Sequence, residues 1–327
     1  MSKNKSCLLF ALYLFLFSVV CYGQSQPLTS GIAYSRQLRD NSAINGIGRE
    51  EVTILNRLPG PGRDNVFDEL LNRFNENEDG IYTSHNYEII NDSGNIIVAG
   101  SIKGWNLSVS EDGSSVSYRN YEYRNTIAGQ FNNQLTENYQ VLENKGKTFI
   151  LTKLKGLISI GDNDLIIPSG LQLERLVYEL PNEKREEKVA GCAVFYSREV
   201  EGIPIIGPGS KIAVFFTSDG TPYGFEYDWP EYQTTMIIVS VLDIAGITNR
   251  NKRYYDSVLN GDSDSILTDM IECGYFDEGH EFLEEENLLQ PACIYYSHSI
   301  NKNGFSRAIA IPAGELVIEN PSWPQSR

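Results

Sequence analysis

The sequence predicts an α+β fold made of tandem small antiparallel sheets, each covered by a helix. Short apolar strands are paired around turn residues, as in YEIINDSGNIIVAG at 87–100 and in the segments on either side of the Asp-Gly turns at 112–113 and 219–220. Stretches with apolar residues at helical spacing precede these hairpins. Runs of antiparallel strands with interspersed helices are typical of α+β proteins.

The first folded unit, expected over 63–128, begins with a helix. Asp64 is a suitable N-cap, and the apolar residues after it fall on one helical face: Val66, Phe67, Leu70, Leu71 and Phe74. Two hairpins follow, one turning at Ser93-Gly94 and one at Asp112-Gly113. One helix and about four strands make a plausible unit.

The second unit, expected over 129–232, repeats this order. A helix is predicted over about 136–159, although its glycines weaken the helical pattern. The strands that follow are predicted at 171–180, 189–200, 211–217 and 222–229. The two Asp-Gly hairpins superpose with an offset of 107 residues, which suggests an internal repeat, and chance similarity is the alternative because such turns are common.

The third unit, expected over 233–318, contains an apolar strand at 235–242, a helix-prone stretch at 254–270 and a hairpin at 292–313. The last residues, 319–327, are expected to be a loose tail. About 300 residues are enough for two or three such units.

The first 23 residues are expected to be an export signal, and residues 24–62 a polar leader or linker that ends in LPGPGRD. Lys3 and Lys5 precede a short apolar run, and a small-residue exit ends at Gly23, as in secretory signals. We therefore expect a secreted or periplasmic protein. Acylation of Cys21, which would make a lipoprotein, is the less favoured alternative.

The chain is acidic, with 27 basic and 43 acidic residues and a formal net charge of −16. The expected signal carries two of the basic residues and no acidic one, so the mature chain would have a net charge of −18. This balance disfavours nucleic acid or an anionic membrane as a partner. No second apolar stretch of membrane length follows the signal, so we expect no integral membrane segment in the mature chain.

Three cysteines follow the signal: Cys192, Cys273 and Cys293. An odd, sparse set is not a disulfide scaffold, and no Cys-x-x-Cys spacing supports a zinc site. Export permits one bridge, and Cys273 with Cys293 is the expected pair because Cys192 lies in a predicted buried strand. Cysteines acting only as small core residues are the alternative.

An aromatic series forms the candidate binding surface: Tyr223, Phe225, Tyr227 and Trp229. Its period of two predicts that all four rings lie on one face of a strand. An exposed face would be a stacking platform for a sugar or peptide. We favour the structural interpretation, in which the face is buried under the covering helix and the intervening residues meet solvent.

No catalytic signature is present. GIPIIGPGSK at 202–211 lacks the endings of phosphate and dinucleotide loops and is expected to be a bulged corner between strands. HEFLE at 280–284 lacks the second histidine of a zinc site, and 75–80 and 261–265 lack the bidentate acid of a calcium loop. A carboxylate pair for glycoside hydrolysis stays open, but no pair is singled out. We expect a protein that is not an enzyme and uses no metal or cofactor.

The segment at 198–229, REVEGIPIIGPGSKIAVFFTSDGTPYGFEYDW, resembles the PepSY and FTP-like propeptide modules of exported bacterial proteins, which have a cystatin-like α+β fold. The shared sequence motif consists of Arg198, Val200, Gly202, Ile203, Pro204 and Ile205. It is followed by a turn at Asp219-Gly220 and an aromatic end at Trp229. The resemblance spans about 135–312 and is more specific at 198–229 than elsewhere.

The resemblance implies a binding role, because such modules chaperone or inhibit an attached metalloprotease and similar folds regulate membrane sensor kinases. No protease domain follows here, so we expect action on a separate protein or peptide outside the cytoplasm, through β-augmentation or occlusion along an exposed sheet edge. The alternative is a carbohydrate- or cell-wall-binding or hydrolysing protein that uses the aromatic face. Exposed rings would favour this alternative, and buried rings would favour the first interpretation.

Overall fold

The computed structural model describes residues 47–75, 88–92, 95–99, 105–121, 139–160, 164–179, 185–258, 266–279, 288–299 and 306–315. Within these residues lie three helices, α1 (Arg63–Asn75), α2 (Tyr139–Lys153) and α3 (Ile244–Val258). The expected export signal with Cys21, HEFLE at 280–284, the candidate loop at 261–265, most of the one at 75–80 and the tail at 319–327 lie outside them.

The described residues form fifteen strands. Their bounds are β1 Glu51–Arg57, β2 Glu88–Asp92, β3 Asn95–Ala99, β4 Trp105–Val109, β5 Ser115–Asn120, β6 Asp164–Glu179, β7 Arg185–Val200, β8 Ile203–Ile206, β9 Lys211–Thr217, β10 Pro222–Asp228, β11 Tyr232–Ser240, β12 Ile266–Phe276, β13 Leu288–Leu289, β14 Pro291–Ser299 and β15 Ser306–Pro312. No helix in this part of the chain is both long enough and apolar enough to cross a membrane.

Twelve of the strands form one mixed sheet. Its order is β15-β14-β12-β8-β7-β9-β10-β5-β4-β3-β2, and β6 pairs with β7 beside this path. The pairing of β8 with β12 is parallel and the other pairings are antiparallel. The remaining three strands form a second sheet in the order β11-β1-β13.

The prediction of tandem small α+β sheets of the PepSY or cystatin type is wrong. The strands expected in three separate units join one large sheet, because β5 pairs with β10 and β8 pairs with β12. Strands outnumber helices fifteen to three in the described residues, so the fold is predominantly β. The physical reason is that the outer strand of each hairpin exposes unpaired backbone groups, and pairing hairpins edge to edge satisfies them.

The two Asp-Gly hairpins are related by an approximate two-fold axis. β4–β5 turns at Asp112-Gly113 and β9–β10 turns at Asp219-Gly220, and β5 pairs antiparallel with β10. Tyr118 and Phe225, which the 107-residue offset makes equivalent, lie directly opposite each other. Equivalent residues that face each other in an antiparallel pair place the axis through that pair.

The two turns also share their hydrogen bonds. Asp112 Oδ1 accepts from the Ser110 hydroxyl at 2.7 Å and from the Ser114 amide at 3.0 Å. Asp219 Oδ1 likewise accepts from the Thr217 hydroxyl and, at 3.0 Å, from the Thr221 amide. Because both the register and the turn bonding agree, the two hairpins are structurally equivalent.

Helices α1 and α2 cover one face of the large sheet and share its main apolar core. Gly146 lies where α2 crosses β7, and a Cβ there would stand 1.9 Å from the Tyr196 hydroxyl, which donates to Glu143 O at 2.7 Å. The glycine that weakens the helical pattern therefore permits the close approach of helix and sheet.

Helix α3 covers the far end of the large sheet. Asp243 caps it by accepting the Gly246 amide at 2.7 Å, and β12 begins at Ile266, so the helix lies earlier than the stretch expected at 254–270. Beneath it Cys273 of β12 lies opposite Cys293 of β14, and the two are joined by a disulfide. Cys192 is free and buried.

Candidate functional site

The four rings of the aromatic series are buried. Tyr223, Phe225, Tyr227 and Trp229 have exposed fractions of 2%, 0%, 1% and 4%. Phe225 and Tyr227 stack with a centroid separation of 6.1 Å, and the indole of Trp229 donates to Ser159 O at 2.9 Å. These rings build the core and do not present a platform to a sugar or peptide.

The expectation that all four rings share one face is wrong for Tyr223. The pairing of β10 with β9 shifts register between Pro222 and Gly224, so Tyr223 is an extra residue in the strand. Such a bulge changes the side on which the following side chains lie. Tyr223 packs with Phe215 on the sheet face opposite the helices, whereas Phe225 packs with Phe149 of α2.

The Gly-Pro segment forms a corner between β8 and β9, as the sequence predicts. Gly207 and Ser210 adopt positive φ values of 99° and 53°. A Cβ on Gly209 would stand 2.2 Å from the carboxyl carbon of Asp277. The corner is therefore shaped to fit around that aspartate.

A buried ionic cluster, which we define as Arg57, Ser114, Asp228, Tyr232 and Asp277, joins the two sheets. Arg57 Nη1 donates to Asp277 Oδ1 at 2.9 Å, and Arg57 Nη2 donates to Asp228 Oδ1 at 2.9 Å and to Ser114 Oγ at 3.2 Å. Tyr232 donates its hydroxyl hydrogen to Asp277 Oδ2. Arg57 and Tyr232 belong to the three-stranded sheet. Asp228 belongs to the large sheet, and Ser114 and Asp277 lie directly before β5 and directly after β12 of that sheet.

Electrostatics fix the charge states within the ionic cluster. Burial lowers the pKa of Arg57, but the carboxylates of Asp277 and Asp228 outweigh this effect and leave the pKa raised. Burial, followed by the Asp277 carboxylate, raises the pKa of Tyr232 well above its usual range, so the phenol stays protonated and donates. With Arg57 and Asp277 only 2% and 3% exposed, the cluster clamps the sheets together and offers no surface to a ligand.

Arg198 extends this buried region and belongs to the sequence motif that resembles PepSY modules. Its guanidinium lies 4.5 Å from the ring centre of Trp229 and 4.1 Å from that of Tyr232, and it donates to Pro230 O. The motif continues into β8 through a two-residue turn at Glu201-Gly202, where both φ values are positive. Its residues therefore build the join between the sheets.

The candidate binding surface is instead the edge of β11. Among the described residues, Tyr232–Val239 pair with β1 on one side and with no strand on the other. Met236, Ile237 and Ile238 are 101%, 44% and 61% exposed, which is unusual for three consecutive large apolar residues. Soluble proteins normally protect such an edge with charges, Pro or a covering element.

A bulge gives this edge its shape. Thr53 lies opposite Ile238 and Leu55 lies opposite Thr234, so Ile54 faces three residues of β11. The Thr235 hydroxyl secures the bulge by donating to Ile54 O at 2.9 Å and accepting the Ile237 amide at 3.1 Å. Met236 is thereby held outward at the centre of the edge.

The sequence predicts the apolar strand at 235–242 but not its position at an edge. Its partner β1 lies within 24–62, the segment expected to be a leader or linker. This strand is exposed because it lies at an end of the three-stranded sheet and not in the middle. No local sequence pattern indicates the order of the strands in a sheet. The only sequence signal is a run of eight residues, TMIIVSVL, without a charge.

No protein-family profile and no curated protein matches the chain. A solved structure, that of an uncharacterized protein from Eubacterium rectale, is similar to it with 12% sequence identity and a TM-score of 0.47. That similarity covers 82% of this chain and 84% of the other.

Proposed function

We propose that this chain is an exported, non-enzymatic protein that binds a strand of a protein or peptide partner along the edge of β11. Strand addition supplies main-chain hydrogen bonds to an edge that has unpaired backbone groups, and exposed side chains supply specificity. The observation that supports the proposal is the exposure of Met236, Ile237 and Ile238 on a strand with one neighbour in the described residues. The residues 1–23 support export.

The buried aromatic rings favour this function over a carbohydrate- or wall-active one. Stacking on a sugar needs an exposed ring face, and Phe225 and Tyr227 are completely enclosed in the core. The β11 edge has the opposite character, because its apolar side chains reach solvent from a secured backbone. A partner that covers this edge would therefore bury more apolar surface than one that approaches the enclosed rings.

Affinity capture with edge variants tests the proposal. The mature chain, residues 24–327, is immobilised beside Ile238→Lys and Leu165→Lys, and each is exposed to extracytoplasmic extract from the producing organism. Ile238 and Leu165 are both half-exposed residues of strands, so the two substitutions add the same charge to different strands of the fold. Retained proteins are identified by mass spectrometry.

The proposal expects a protein that the unmodified chain and Leu165→Lys retain and that Ile238→Lys loses. Lysine on an edge strand opposes strand addition, because the incoming strand must desolvate its charge. Circular dichroism confirms that both variants are folded. Equal retention by the two variants, or retention of no protein from an intact extract, would contradict the proposal.

A further inference from the structure

We infer that the strand accepted by β11 is an extended apolar segment with lysine or arginine at its N-terminal end, running antiparallel to β11. This inference rests on the proposed function and adds the chemistry of the partner. It follows from the distribution of charge along the edge and from the way in which the far end of β11 is closed.

The edge itself carries no charge between Tyr232 and Leu242. The chain as a whole has a net charge of −16. An uncharged apolar edge favours apolar side chains in the part of a partner that contacts it directly. The negative potential of the rest of the chain favours positive charge at the ends of the partner.

Exposed carboxylates gather at the Ser240 end. Glu51 lies opposite Ser240, Glu50 O accepts the Val241 amide at 2.7 Å, and Asp243 follows β11 by three residues. Glu50, Glu51 and Asp243 are exposed and form no ion pair with another described residue. Glu51 is two residues from Thr53, which faces Ile238, so Glu51 and Ile238 lie on the same outer face.

The nearby guanidiniums leave this end acidic. Arg49 donates to Glu201 O, and Arg250 donates to Pro312 O and Gly314 O at 2.9 and 2.6 Å. Arg250 also donates to Glu315 O at 3.3 Å and interacts with the charge of Glu315. A cationic side chain arriving at the Ser240 end therefore meets the exposed carboxylates of Glu50 and Glu51, which form no ion pair in the described part of the chain.

Residues 313–315 set where the partner strand begins. Leu242 N donates to Ala313 O and Glu315 N donates to Ser240 O, both at 2.8 Å, so these residues already occupy the free side of β11 beyond Val239. An antiparallel partner then has its N-terminal end beside Val239, next to the carboxylates. Antiparallel pairing is also the more stable arrangement.

The same charges disfavour a second copy of the chain as the occupant. Antiparallel self-pairing of β11 about Met236 would bring the acidic Ser240 end of each copy towards the exposed Glu231 at the start of β11 in the other. Like charges would then face each other twice. A partner with a basic end has no such repulsion.

Two labelled peptides test the inference by fluorescence anisotropy at low and high salt. One has two lysines followed by alternating valine and threonine, and the other has two glutamates in place of the lysines. The proteins are the mature chain, Ile238→Lys, Glu50→Lys/Glu51→Lys, Glu231→Lys, and the mature chain ending at Glu315. Glu231→Lys is the matched control, because it changes charge at the opposite end of the same strand.

We expect the lysine peptide to bind the mature chain about tenfold more tightly than the glutamate peptide at low salt, with a smaller difference at high salt. Glu50→Lys/Glu51→Lys should remove the preference, Glu231→Lys should keep most of it, and Ile238→Lys should abolish binding of both peptides.

Three results would overturn the inference. Equal binding of both peptides, sensitive to Ile238→Lys, would show strand addition without charge selection and would leave the proposed function intact. Binding only to the chain ending at Glu315 would identify its own residues 316–327 as the occupant. A dimer by analytical ultracentrifugation that Ile238→Lys disrupts would identify a second copy as the occupant.

Discussion

The guanidinium of Arg57 lies 2.9 Å from the carboxylate of Asp277, and the two side chains come from different sheets 220 residues apart in sequence. Both are almost completely buried. A buried ion pair adds modest stability when intact, but removing one partner leaves an uncompensated charge in the core. The pair therefore supports the packing of the three-stranded sheet on the large one, together with the apolar cluster that includes Ile54, Ile205 and Tyr275.

Arg57→Met is expected to lower the free energy of unfolding by about 3–5 kcal/mol, because Asp277 and Asp228 lose their shared cation in a buried site. Urea unfolding followed by circular dichroism measures the change. Arg253→Met, which removes an exposed guanidinium from α3, serves as the control and should change stability by less than about 0.5 kcal/mol. A loss no larger than that of the control would show that the ionic cluster is not a clamp.

Gly209→Ala is expected to destabilise the protein by about 2 kcal/mol, because its Cβ would overlap the Asp277 carboxylate and force it away from Arg57. Gly170→Ala is the matched control, since nothing lies within 4 Å of the Cβ there. Thermal unfolding of both variants provides the comparison. Similar melting temperatures for the two would contradict the packing described at the corner.

The disulfide between Cys273 and Cys293 is expected to stabilise the folded protein. Reduction, or Cys273→Ala/Cys293→Ala, should lower the free energy of unfolding by about 3 kcal/mol, as expected when a loop of this length is opened.

Burial raises the pKa of Cys192 to about 12, so its thiol should resist iodoacetamide in the folded protein at neutral pH. In residues 24–327, which contain three cysteines, mass spectrometry should find no alkylated cysteine in the folded protein and one after unfolding without reductant. Three alkylated cysteines under those conditions would exclude the bridge.

Asp112 should give the protein a pH-dependent stability. Burial raises the pKa of this carboxyl, but the hydrogen bonds from Ser110 and Ser114 outweigh burial and leave the pKa below its ordinary value of 3.8. The stabilisation is therefore present above about pH 4 and is lost as the pH falls through the lowered pKa. Asp112→Asn should be destabilised relative to the unmodified chain at pH 6, and the difference should shrink at pH 3.

Asp68→Asn, on the exposed side of α1, is the matched control for this titration. Urea unfolding measures the free energy of unfolding of each variant and of the unmodified chain at both pH values. The difference between Asp112→Asn and the unmodified chain should be smaller at pH 3 than at pH 6, and the difference for the control should not change in this way. A difference for Asp112→Asn that is constant between the two pH values would contradict the account.

The local part of the fold could be predicted from sequence. Alternating apolar residues around Asp112-Gly113 and Asp219-Gly220 identify two hairpins, because turn chemistry and side-chain period are properties of neighbouring residues. The pairing of β5 with β10, and of β8 with β12, could not be predicted. It depends on which outer strands meet after the hairpins form, and only the complete set of edges determines that.

The ionic cluster, like the edge position of β11, could not be predicted from the sequence for the same reason. The members of the ionic cluster come from four distant positions in the sequence, and a charged residue such as Arg57 gives no local sign of burial. Tyr223 keeps the aromatic period but leaves the shared face, because the bulge before Gly224 is a matter of register with β9. Predicting either would require knowing the neighbouring strands.

The most direct test of the central claim is hydrogen exchange of the mature chain with and without the partner retained in the capture experiment. Strand addition predicts that partner binding slows exchange of the backbone amides of 232–239 that face away from β1, with little change at the β6 edge around Leu165. Unchanged exchange in β11, with protection elsewhere, would contradict the claim that this edge is the binding surface.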